Sequence, residues 1–258
     1  MTTLTPSKNL YRKLQRQYSR KINLDLKRIN LALKKLGNIH KKINNPINII
    51  GSDGKYSTLK SLQYIIEANK EKVSTFTSPH LYDVRHRFWL KNKFISIDEL
   101  NKYINIIKKL KIKLTLFEVL TLSYYLAASK LKKISYSLCE SGLLFKGDST
   151  RVWDSPKCQI ITNINKQHLE WVKPKTLEEI CKQKVGYLSN NTTIYVGKQK
   201  AKTMKIIKRI LKKNKSKKSY YGDEWSMKKE GDKRVYADKK GKLVLKSNKT
   251  HNHRTSLN

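Results

Sequence analysis

Apolar positions along this chain follow two spacings, and each change of spacing marks an element. Leu26, Ile29, Leu33 and Leu36 recur at three- and four-residue intervals, one face of a helix that Gly37 is placed to end. After Asn44-Asn45-Pro46 the run Asn48-Ile49-Ile50 predicts a strand, and helical spacing resumes at Leu59, Leu62, Ile65 and Ile66. Residues 73–76 predict a second short strand. Ser96 with Glu99, and Thr115 with Glu118, have capping-box spacing ahead of two apolar helices. The first carries Leu100, Tyr103, Ile104, Ile107 and Leu110, and the second runs through Leu126. Residues 134–139, 158–162 and 194–196 read as further core strands. Thr176 with Glu179 caps a helix that includes Lys184, and residues 204–211 form a basic amphipathic helix. Strands alternating with helices predict an α/β fold with a mainly parallel sheet flanked by helices. From Asn214 the chain turns polar. Residues 234–237 and 243–245, around Lys239-Lys240-Gly241, predict a small β-hairpin near the C-terminus.

The first strand runs directly into Gly51-Ser52-Asp53-Gly54-Lys55-Tyr56-Ser57-Thr58. A strand that ends in a glycine turn and opens a helix aims backbone N–H groups at one spot, which suits phosphate. Lys55 is placed to reach outer phosphates and Ser57 to ligate Mg²⁺. The usual spacing G-x-x-x-x-G-K-[ST] would need glycine at Ile49 and a small hydroxyl residue at Tyr56. An ordinary strand–turn–helix with a surface lysine is the other reading of this stretch. In parallel sheets, ligands gather beyond the carboxyl ends of the strands. Gly51 to Ser57, Ser78, Glu140 and His168 all fall at such ends.

At 258 residues the chain fits one large domain or two small ones. Lys and Arg number 57 against 19 Asp and Glu, a net charge of +38. The excess is spread along the chain and accompanies abundant Asn, Ile and Tyr, residues with A/T-rich codons. It therefore reads as compositional, with nucleic acid bound only non-specifically. No apolar run approaches the ~18 residues that span a bilayer, so no membrane partner is expected. The first two dozen residues lack any acid, as transit peptides do, yet helical pattern follows without a break and a mature N-terminus is expected. Cys139, Cys158 and Cys181 lack C-x-x-C spacing, which predicts a reduced, cytoplasmic protein with no zinc site.

Six segments in register carry a resemblance. GSDGKYST (51–58), TSPHL (77–81), TLFE (115–118), CESGLLFKGDST (139–150), ITNINKQHLEW (161–171) and TLEEICKQKVG (176–186) together resemble the folylpolyglutamate/dihydrofolate synthases of the Mur ligase superfamily. The resemblance implies the Mur ligase central fold, a P-loop-type ATPase domain using ATP and Mg²⁺. It implies a reaction in which a folate or dihydropteroate carboxylate is phosphorylated and the amine of glutamate attacks the acyl phosphate. By match, Gly51 to Thr58 would bind ATP, and Ser57, Ser78, Glu140 and His168 would hold metal. Phe117 and Asp148 would line the folate pocket, and Lys184 would be the carbamylated lysine, with His168 the other catalytic candidate. The expected organisation is a helical segment 1–45 packed on the core, an ATPase domain 46–213 and a polar extension 214–258.

The sequence also departs from that family. Its phosphate turn reads close to GTNGKGS, whereas Tyr56 here replaces the small residue after the lysine. Its E-V-G-L-G-G-R-L-D-A-T-N appears as residues 140–151 with two glycines, the arginine and the closing asparagine lost. Its Asp-His pair is Gln167-His168, and the Glu expected after TSPHL is His86. Family members continue into a second, Rossmann-like domain that helps bind ATP and glutamate, and this sequence stops at Asn258. The expectation is a truncated or partner-completed ligase with impaired activity. A catalytically inactive remnant, or a basic nucleotide- or nucleic-acid-binding module, is the alternative.

Overall fold

The computed structural model describes residues 6–19 and 22–246. The expected extension to residue 258, and the first residues of the acid-free stretch, lie partly outside them. In chain order the elements are α1 (Pro6–Gln17), α2 (Lys27–Lys35), β1 (Pro46–Ile50), α3 (Lys55–Ala68), β2 (Val73–Phe76), β3 (Phe88–Lys91) and β4 (Lys93–Phe94). There follow α4 (Ile97–Lys108), α5 (Leu116–Ala128), β5 (Tyr136–Glu140), β6 (Cys158–Ile161), α6 (Leu177–Val185), β7 (Thr193–Val196), α7 (Ala201–Leu211) and β8 (Lys217–Tyr220). A polar meander closes the described chain, formed by β9 (Trp225–Glu230), β10 (Lys233–Asp238) and β11 (Gly241–Lys246).

The main sheet has eight strands in the order β4-β3-β2-β5-β1-β6-β7-β8. From β2 to β8 every neighbour is parallel, and the β3–β4 hairpin adds antiparallel pairs at one edge. The fold is thus a mixed, mostly parallel α/β sheet. β1 is central and buried along its whole length, which suits its three isoleucines, and the Asn48 between them is satisfied by donating Nδ2 to Thr150 O at 3.0 Å. Successive side chains still go to opposite faces. Ile47 and Ile49 of β1, Val73 of β2 and Leu138 of β5 pack with Leu59 of α3. Phe76 and Cys139 instead join Leu120 and Tyr124 of α5, in a cluster that also takes Leu10, Leu14, Ile29 and Leu33 from α1 and α2. Beyond β6, Ile161, Ile194 and Val196 pack with Ile180 of α6 and Ile207 of α7. Among the described residues, no helix is long and apolar enough to cross a membrane.

Two local expectations change. Thr115 and Glu118 close the reciprocal cap of α5, with Thr115 N donating to Glu118 Oε2 at 2.6 Å and Glu118 N to Thr115 Oγ1 at 3.3 Å. At α4 only Ser96 Oγ accepts, from Glu99 N at 3.1 Å, because Glu99's carboxylate takes the Tyr103 hydroxyl instead at 2.9 Å. The hairpin near the C-terminus gains a third antiparallel strand, β9, whose Trp225 pairs with Asp238. The run Lys228-Lys229 hides that strand from a search for apolar alternation.

Candidate functional site

The four central strands β2, β5, β1 and β6 deliver their carboxyl ends side by side, and each contributes an expected residue. The turn after β1 is shaped by its glycines. A Cβ on Gly51 would stand 2.0 Å from Thr162 Oγ1, so only hydrogen fits there. Gly54 has a left-handed φ of 79°, which costs glycine least, and α3 starts from it. No side chain caps that helix end, which leaves its first N–H groups for solvent or a ligand. Lys55 folds back so that Nζ donates to Ser52 O at 3.1 Å and Gly51 O at 3.3 Å. Tyr56 and Ser57 are exposed on the first turn of α3, with Thr58 half-buried behind them.

Lys55, Ser78, Phe117, Asp148 and His168 line one cavity of about 470 Å³. Glu140, at the end of β5, does not itself line the cavity but holds a residue that does, its Oε2 accepting the Ser78 backbone N–H at 3.0 Å. Burial pushes the Glu140 carboxyl up to about 7, against the pull of that hydrogen bond and the Lys55 and Arg87 charges. Asp148 is buried and accepts Gly142 N at 2.7 Å, Thr150 N at 2.9 Å and Thr150 Oγ1 at 2.7 Å, so it also fixes the loop after β5. Phe117 tilts against Phe76 at 6.0 Å. His168 stands half-buried in a left-handed conformation, its imidazole pushed down by burial and by the Lys184 charge.

Lys184, in the last turn of α6, is fully buried. Its Nζ donates to Gly51 O at 2.8 Å and Leu143 O at 2.5 Å, behind the phosphate turn. Burial, then the Lys55 charge, lowers its ammonium to about 7.

The sequence gives no hint of Arg87. It lies 6 % exposed under the cavity, with Nε donating to His80 Nδ1 at 2.8 Å and Nη1 to Ser78 Oγ at 3.2 Å. His80 is pushed down to about 4 by burial and that guanidinium. Arg87 directly precedes β3, whose pairing with β2 brings it to the strand ends, a placement that no local pattern around residue 87 encodes. Among the described residues no three His, Cys, Asp or Glu side chains gather as a metal site. Of the four expected metal ligands, Glu140 and His168 are of those types, and the Ser78 hydroxyl is occupied by Arg87.

With this geometry in hand, comparison with known proteins is decisive at one level. The model of the Mur ligase middle domain matches residues 49–258. The chain belongs to the Mur ligase family. This Mur ligase middle domain is 27 % identical over 169 residues to the dihydrofolate synthase/folylpolyglutamate synthase of Bacillus subtilis, covering 62 % of this chain and 39 % of that protein. It is 28 % identical over 171 residues to a folylpolyglutamate synthase of Arabidopsis thaliana, covering 63 % of this chain and 27 % of that protein. Among solved structures, E. coli FolC in complex with DHPP and ADP superposes with a TM-score of 0.83 at 24 % identity, over 93 % of this chain and 57 % of that one. A bifunctional folylpolyglutamate synthase/dihydrofolate synthase with Mn, AMPPNP and L-glutamate bound gives 0.79 at 22 %, over 93 % and 57 %. These structural likenesses concern the fold, and the chain spans well under two thirds of the relatives it matches.

Proposed function

We propose that the crevice is the nucleotide and folate site of a folylpolyglutamate synthase-like ligase. Residues 46–213 are then the nucleotide-handling unit, residues 1–45 lie against it, and 214–258 extend from it. The observation that carries this reading is the convergence of Lys55, Ser78, Phe117, Asp148 and His168 on one cavity at the strand ends. The bare helix end at Gly54 and the folded-back Lys55 offer N–H groups and a cation to the phosphates of ATP. The cavity's apolar wall, Phe117 and Leu143 among it, suits a flat ring system, with Asp148 beside it. A carboxylate on such a ligand would find Lys55 and Arg87 at the crevice end.

The residues also fit a divalent cation held jointly with phosphate. Mg²⁺ takes oxygen ligands, commonly one or two carboxylates plus phosphate oxygens and water. Ser57, Ser78 and Glu140 would supply oxygens and His168 a nitrogen, and the ion would neutralise charge on the transferring phosphoryl group. Ligation in this reading passes through an acyl phosphate attacked by glutamate, a step that gains chiefly from orientation and exclusion of water. The N-terminal residues Tyr11, Gln15 and Leu24 wall the cavity and supply part of that exclusion.

A second reading, nucleotide binding without ligation, is favoured by two observations. Arg87 occupies the Ser78 hydroxyl, and Tyr56 stands where the resembling turn has glycine. The test is calorimetric titration with Mg·ADP together with ATP-dependent incorporation of glutamate into folate or dihydropteroate. Binding that Lys55→Ala abolishes supports a nucleotide site, and turnover on top of it selects the ligase. Failure of the purified chain to bind Mg·ADP would sink both readings.

A further inference from the structure

The turn after β1 and the loop after β6 are joined by more than the sheet. Ser52 N and Asp53 N donate to Asn163 O at 2.7 and 3.2 Å, and Asn165 N donates to Ser52 Oγ at 3.1 Å. The Asp53 carboxylate accepts from Asn165 Nδ2 with one oxygen and from Gln167 Nε2, at 2.8 Å, with the other. On its far side the same loop is held by Gln199, which accepts Ile164 N at 2.9 Å and donates to Thr162 O at 2.8 Å. His168 follows Gln167 directly, with a φ of 62° that non-glycine residues seldom adopt. The ring's place on the cavity wall therefore depends on where Gln167 is tied.

The chemistry of this tie is inverted relative to the pattern the chain resembles. That pattern has asparagine third in the phosphate turn and aspartate before the histidine. Here the turn carries Asp53 and the histidine is preceded by Gln167. Acid and amide stand in exchanged positions, and in this structure one amide-to-carboxylate bond, Gln167 Nε2 to Asp53 at 2.8 Å, joins them. An acid at both positions would set two carboxylates against each other, and an amide at both would lose the charge-assisted bond.

We propose that Asp53 is a positioning residue that supplies, from the phosphate turn, the acidic half of a clamp setting His168 over the crevice. The proposal rests on the nucleotide reading of that crevice. It makes the identity of residue 53 conditional on that of residue 167, so the two must be changed together to keep one carboxylate.

The test is a double-mutant cycle of Gln167→Asp, Asp53→Asn and the pair, read by thermal melting, by hydrogen exchange of amides 163–168 and by Mg·ADP titration. Gln167→Asp is expected to lower the melting temperature, speed exchange in the loop and weaken Mg·ADP about tenfold, with Asp53→Asn milder. The double variant is expected to return to within about twofold of the wild-type affinity, whereas two residues acting independently would give additive losses. A double variant no better than Gln167→Asp overturns the proposal. If Gln167→Asp does not fold, a double variant no better than Asp53→Asn overturns it equally. Should the wild type fail to bind Mg·ADP, the nucleotide reading falls by itself. The clamp is then judged on melting and exchange, where strictly additive effects of the two substitutions overturn it.

Discussion

Lys184 Nζ donates to Gly51 O at 2.8 Å, so a buried cation on α6 braces the first glycine of the phosphate turn from behind. Its ammonium is lowered from 10.5 to about 7, first by burial. Between those values the unfolded chain holds a proton that the folded chain has released, so stability rises with pH. The expected slope from this group approaches about 1.4 kcal/mol per pH unit between pH 7 and 10. Denaturant unfolding of wild type and Lys184→Met across that range should show the slope in the former and a flatter profile in the latter. Parallel profiles would mean that Lys184 keeps its proton.

Glu140 runs the other way. Its carboxyl is raised from 4.5 to about 7, so its protonated form stabilises the fold fully below pH 4.5 and the contribution is lost as pH rises through about 7. Glu140→Gln keeps an oxygen for the Ser78 N–H. At pH 8 this variant should melt above the wild type, and near pH 4.5 the difference should close. Its Mg²⁺-dependent gain in nucleotide affinity should meanwhile disappear. Unchanged Mg²⁺ dependence would remove Glu140 from the metal set.

Gly51→Ala should cost about 1–3 kcal/mol, the range for overpacking, because the new methyl meets Thr162 Oγ1 at 2.0 Å and Asn163 O at 3.1 Å. Adding Thr162→Ala removes the hydroxyl and should recover part of the loss, whereas Thr162→Ser keeps the oxygen and should recover none. Chemical denaturation of the four proteins checks this ordering.

Asp148→Asn tests whether that carboxylate is structural as well as cavity-lining. Both of its oxygens accept donors, Gly142 N at one and Thr150 N and Oγ1 at the other. An amide must turn its NH₂ toward one of those donors, leaving a buried group unpaired at about 1–3 kcal/mol. The expected result is a lowered melting temperature together with loss of pteridine binding. Full stability with lost binding would assign Asp148 to the ligand alone.

The sheet's centre was legible because β1, β2 and β5 are short segments rich in β-branched and apolar residues set between helical spacings. The edges were not. β8 begins Lys217-Lys218, and Lys91 and Lys93 flank the turn of the β3–β4 hairpin, so apolar alternation is absent where strands meet solvent. The glycine turn that opens α3 was visible because local glycine spacing specifies it. The burial of Lys184 was not, since its acceptors Gly51 and Leu143 lie 133 and 41 residues away. The Asp53–Gln167 contact spans 114 residues and left no local trace in either segment.

Tyr11, Gln15 and Leu24 line the cavity together with Phe117 and Asp148, and Gly147 is pressed so close to the Leu24 backbone that a Cβ there would come within 2.3 Å. The N-terminal part of that lining belongs to no strand, since Tyr11 and Gln15 sit on α1 and Leu24 follows it. The cavity is therefore closed in part by the chain's own N-terminal segment. A chain clipped after its first helix would lose Tyr11 and Gln15 from the cavity lining and, with them, Leu10 and Leu14 from the core beside α5.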